Sequence, residues 1–169
     1  MKTRNLLLTL CAVLEAAISI LFLAQGTAFL GKLTLAAAAC ALAAGLWRTG
    51  AGKSWLLVLN GLAVGALGVI FNSLFRYRIS FRTIALLLGV MALSSGLMAL
   101  KWSLRAAGAA SLGLALALFA LALRWIPLGS AGRPDLMWLG ASFGLSALCM
   151  MALVTARGSI HAPTGRAWL

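Results

Sequence analysis

Side chains able to do acid–base or nucleophilic chemistry are scarce in this 169-residue chain. It holds two acidic residues, Glu15 and Asp135, and one histidine, His161. Glu15 lies inside a long apolar run, where an ionised carboxylate is costly and such a group turns to a bundle interior or a wet cavity. Two roles are open to it. One is a proton-linked or cation-binding carboxylate. The other is a protonated carboxyl hydrogen-bonded to a neighbouring helix. Asn60 and Gln25 are the other strongly polar residues in or beside apolar runs, and Asn60 is expected nearer its membrane interface than Glu15. Ser19, Ser94, Ser95, Ser142 and Ser146 can hydrogen-bond across or within helices.

No catalytic constellation is visible. Catalysis usually needs a positioned acid–base or nucleophile–base pair, and His161 lies in a polar tail. That histidine is outside the apolar runs, so axial imidazole ligation of a haem or chlorophyll within the membrane is not expected. The sequence contains no phosphate-binding glycine loop, nucleophile elbow or zinc spacing. Cys11, Cys40 and Cys149 lie in apolar runs without a C-x-x-C pair and read as small core residues. No enzyme activity, catalytic residue, metal or cofactor is therefore expected.

The elements that position these residues are six apolar blocks, at 6–24, 33–47, 55–75, 83–101, 106–125 and 136–155. A helix needs about 20 mainly apolar residues to cross the hydrocarbon core. Lipid offers a bare backbone no hydrogen bonds, so each block should be helical. The composition agrees, with 63% hydrophobic and 9% charged residues. The fold class expected is all-α: a polytopic integral membrane protein of six transmembrane helices. The first block follows Lys2 and Arg4 as a signal peptide would, but runs on to residue 24 without a clear cleavage site and is expected to stay as a span.

A net charge of +12 would suggest nucleic acid in a soluble protein. Here the basic residues are dispersed between spans, which points to headgroup anchoring and topology control instead. With both termini on one side, that side carries Lys2, Arg4, Arg48, Lys53, Lys101, Arg105, Arg157 and Arg166. The opposite side carries Lys32, Arg76, Arg78, Arg82, Arg124 and Arg133. The excess leans toward cytoplasmic termini. Trp47, Trp55, Trp102, Trp125 and Trp138 fall at or beside span ends, as interface anchors do.

The connections alternate in length, which suggests three tandem hairpins, about 5–48, 54–102 and 105–157, in a 1–157 membrane domain followed by a polar tail at 158–169. Overlaying the hairpins at a period of roughly fifty residues places Phe22 on Phe71 and Gly61 on Gly113. Small residues mark helix-packing positions: Gly61-x-x-x-Gly65, Gly140-x-x-x-Gly144, and Gly89 with Gly96. Small side chains let helices approach closely in lipid.

The run from Trp55 through Asn60-Gly61 to Phe71, continuing with Gly89 and Ser95-Gly96-Leu97, resembles the HdeD-like acid-resistance membrane proteins. So does the third hairpin, with its Trp138-x-Gly140 helix. That family tends to place a proline in the longer loop of each hairpin; here only the third has one, Pro127. The resemblance implies a bacterial inner-membrane protein associated with acid or envelope stress, without a known ligand or catalytic mechanism. The function expected is non-enzymatic, in stress resistance or as an accessory subunit of a membrane assembly. The alternative is a small proton-coupled transporter or channel using Glu15. Expected partners are the lipid bilayer and other membrane chains, or further copies of this one.

Overall fold

The computed structural model describes residues 3–24, 29–46, 54–73, 80–101, 105–123 and 134–159. They form six α-helices: α1 (Thr3–Leu23), α2 (Leu30–Leu46), α3 (Ser54–Ser73), α4 (Phe81–Lys101), α5 (Arg105–Ala122) and α6 (Pro134–Ser159). Five are long and apolar enough to cross a membrane; α2, with 17 residues, is shorter. At 1.5 Å per residue, α6 with 26 residues is about 39 Å long and exceeds the hydrocarbon thickness. Pro134 opens α6, where its fixed φ suits the first turn and its missing N–H is no loss. The expected all-α, six-helix membrane bundle is the observed fold. Trp47, Trp102, Trp125, Gln25, Pro127, His161 and the 160–169 tail lie outside the described residues.

Helix pairing departs from the tandem hairpins expected. The pairs α1–α2, α3–α4 and α5–α6 do touch, but the most extensive seams are α2–α3, α4–α5 and α1–α6, and α5–α6 is the least extensive. The reason lies in where small residues face. A Cβ built on Gly61 would stand 2.8 Å from Leu42 Cγ and 3.0 Å from the Leu42 backbone nitrogen. On Gly68 it would meet Leu35 at 2.9 Å, and on Gly45 it would meet Val58 at 2.9 Å. Gly65 faces Ala38, and Gly31 faces the Asn72 side chain. As positions rise along α3 they fall along α2, so the two helices run antiparallel. Large side chains of each fill the gaps left by small residues of the other.

The α4–α5 seam is built the same way. Gly89 faces the Phe119 ring, Gly96 the Gly108 carbonyl and Leu112, and Gly108 faces Leu100. The Ser111 hydroxyl adds a hydrogen bond to the Ala92 carbonyl at 2.8 Å. Gly113 breaks the expected equivalence with Gly61: nothing lies within 4 Å of its Cβ position. It sits on the far side of α5 from the face that meets α4.

Between α1 and α6 the contact includes polar groups. The Ser19 hydroxyl donates to the Gly140 carbonyl at 2.7 Å, and Gly144 lies beneath Ser19. Toward the other end, Leu8 and Ala12 share an apolar cluster with Met150 and Leu153. The two helices are thus antiparallel, and the start of α1 and the end of α6 lie at the same end of the bundle.

Two apolar clusters make up the core. The smaller, near the start of α1, joins Leu8 and Ala12 to Ala44, Leu56, Leu57, Met98, Met150 and Leu153. The larger runs toward the other end and includes Ile18, Phe22, Val64, Leu67, Leu88, Met91 and Phe143. In it Phe22 meets Phe71 edge-on at 5.3 Å between ring centroids and stacks on Phe143 at 6.0 Å. Outward faces carry large apolar side chains such as Ile20, Leu62, Val69, Leu116 and Leu148, as contact with acyl chains requires.

Candidate functional site: a polar layer between two apolar clusters

Between the two clusters, four helices each contribute a polar side chain. These are Glu15 of α1, Asn60 of α3, Ser95 of α4 and Ser146 of α6, all with no exposed surface. The layer follows from their places in sequence. Each lies between a residue of one cluster and a residue of the other: Ala12 and Ile18 flank Glu15, Leu57 and Ala63 flank Asn60, and Phe143 and Met150 flank Ser146.

The hydrogen bonds converge. The Asn60 amide nitrogen faces the Met91 carbonyl and the Ser95 hydroxyl, each at 3.4 Å, and the Ser146 hydroxyl at 3.5 Å. The two hydroxyls are 3.2 Å apart, and Ser95 also donates to the Met91 carbonyl one turn back. Ser146 thus joins α6 to α3 and α4 in the layer. The Cys11 thiol, four residues before Glu15 on the same helix face, donates to Glu15 Oε1 at 3.5 Å. Among the described residues, two buried oxygens, Glu15 Oε2 and Asn60 Oδ1, have no partner.

Glu15 and Asn60, expected at different depths, both lie between the same two apolar clusters. The departure arises because a residue's distance from its own helix end does not fix its depth when helices differ in length and offset. The signal for Cys11 was its i, i+4 spacing from Glu15. The convergence of Ser95 and Ser146 had no local signal.

The remaining expected positions divide as follows. Gly61, Gly89, Gly96 and Gly144 face other helices at close range, Gly65 makes an ordinary contact with Ala38, and Gly140 accepts Ser19. Trp55 is exposed at the start of α3, whereas Trp138 packs half-buried against the larger apolar cluster. Asp135 falls in the first turn of α6. Among the described residues, no group of three His, Cys, Asp or Glu side chains stands ready to hold a metal.

Fold and layer together define a polytopic helical membrane protein with a buried polar junction. Comparison with known protein families, curated proteins and solved structures gives no match to this chain.

Proposed function

We propose that the chain is a non-enzymatic multi-pass protein of the bacterial inner membrane, HdeD-like, with cytoplasmic termini, acting in acid or envelope stress through helix packing, lipid contact and membrane partners. The observation that carries this reading is how the interior polar groups are used. Ser19, Asn60, Ser95, Ser111 and Ser146 all bond between helices, and the outward faces are aliphatic. Such an interior ties a bundle together and leaves its outer surface for lipid or other chains. The test is survival after acid challenge in cells with and without the gene. Lower survival on deletion, restored by re-expression, supports the role; equal survival with and without the gene sinks it.

A second reading, a small proton-coupled transporter, is favoured by Glu15 itself, a buried acid at a four-helix junction. Purified protein in vesicles with an internal pH dye separates the two. Proton flux that disappears in Glu15→Gln establishes transport and displaces the first reading. No flux in either protein leaves the first standing.

A further inference from the structure

The polar layer has an imbalance of one kind. All of its donors but one are engaged. The Asn60 N–H groups face Met91, Ser95 and Ser146, the Ser95 hydroxyl donates to Met91, and the Cys11 thiol donates to Glu15. The Ser146 hydroxyl faces Asn60 and Ser95 as an acceptor and has a single hydrogen of its own to give. The two buried oxygens without partners, Glu15 Oε2 and Asn60 Oδ1, are both acceptors when Glu15 is ionised. What the layer lacks is a donor.

The charge points the same way. Lys32, Arg82 and Arg105 are exposed near helix ends, and no described cation reaches the layer. An ionised Glu15 would be a buried, unpaired charge, among the most expensive groups a protein interior can hold. A water molecule between the two free oxygens could satisfy both, yet would leave that charge uncompensated. A proton on Glu15 answers both problems at once. It removes the charge and turns one orphan acceptor into an O–H donor, for which Asn60 Oδ1 is the other buried side-chain acceptor without a partner among the described residues.

We propose that the layer formed by Glu15, Asn60, Ser95 and Ser146 is a proton-binding site, holding one exchangeable proton on Glu15 that is shared with Asn60 Oδ1. On release the proton passes to a base in bulk solvent. The carboxylate keeps its donor from Cys11, while Asn60 Oδ1 loses its partner. The other titratable groups nearby are thiols: Cys11 on α1 itself, Cys40 on α2 beyond it, and Cys149 on α6. Helices α3 and α4 bring only neutral amide and hydroxyl groups to the layer. The site holds whether or not the chain moves protons across a membrane, so its failure and that of the transport reading are told apart by different measurements.

The composition makes the test clean, because Glu15 and Asp135 are the only side-chain carboxyls. The infrared spectrum of purified Asp135→Asn in a carboxyl-free detergent should show a protonated-carboxyl C=O stretch at neutral pH. Adding Glu15→Gln should abolish the band. Raising the pH should remove it. Adding Asn60→Ala to Asp135→Asn should move the band to higher frequency, because its hydrogen-bond acceptor is gone. If a double variant does not fold, the wild-type chain decides: the band must be present at neutral pH and vanish on alkalinisation while helical circular dichroism persists. A neutral-pH spectrum without that band overturns the site. A band that Asn60→Ala leaves unmoved overturns the sharing with Asn60.

Discussion

The α2–α3 seam and the polar layer hold helices together by opposite means. Along α2–α3, contact is a matter of shape: Leu35, Leu42 and Val58 lie over Gly68, Gly61 and Gly45 at distances a single added carbon would violate. In the layer, contact is a matter of hydrogen bonding, and it draws α3, α4 and α6 to one level. Lipid removes the hydrophobic drive that pairs helices in water, so close packing and interhelical hydrogen bonds remain to choose partners. The seam specifies a pair of helices. The layer specifies how pairs meet, because no two of its residues suffice to satisfy it.

The sharpest way to break the seam is Gly61→Leu. The new side chain would meet the Leu42 backbone as well as its side chain, so neither can simply turn away. Overpacking typically costs about 1–3 kcal/mol, and this site should reach the top of that range or exceed it. The measure is a lowered midpoint of thermal unfolding in mild detergent; an unchanged midpoint would show that α2 and α3 are not apposed in this register.

Asn60→Leu should follow closely. It removes the amide that spans α4 and α6 and leaves the Ser95 and Ser146 hydroxyls only each other and the Met91 carbonyl, at a cost of about 1–3 kcal/mol for the bonds lost and the buried groups left under-satisfied. Destabilisation well below that of an ordinary surface change would mean the layer is not a cohesive unit.

Ser19→Ala tests a single polar tie outside the layer. Its bond to the Gly140 carbonyl is well formed at 2.7 Å. Interhelical hydrogen bonds in membranes average about 0.6 kcal/mol and reach about 1.7. A loss in that interval, smaller than for Asn60→Leu, is expected in the same unfolding assay.

The smallest effect should come from Gly113→Ala, and its sign should be reversed. The position faces open space, so the change gains the roughly 0.5–1 kcal/mol by which alanine exceeds glycine within a helix. Gly108→Ala on the same helix is the control, because a Cβ there would stand 2.7 Å from Leu100 Cγ and 3.0 Å from its backbone nitrogen. If both substitutions destabilise alike, the assignment of the α5 face is wrong.

The contrast between Gly61 and Gly113 shows how far sequence reasoning reaches. The hairpin overlay makes them equivalent, yet one is pressed against α2 and the other touches nothing. Phe22 and Phe71, overlaid in the same way, meet in space. A repeat in sequence conveys shared composition and length. It does not say which face of each copy meets which neighbour.

The sequence by itself determined that the chain is a bundle of six membrane helices with a single acid buried inside it. Both follow from local physics: a backbone in lipid must satisfy its own hydrogen bonds, and a carboxylate must avoid acyl chains. Tertiary structure alone decided that α2 pairs with α3, α4 with α5 and α1 with α6. It also decided that Asn60, Ser95 and Ser146 gather at the level of Glu15. The physical reason is that every span is about equally at home in lipid, so hydrophobicity cannot rank one neighbour above another. That ranking comes from the fit of side chains and hydrogen bonds between residues far apart in the chain, and such fit exists only once the helices are placed together.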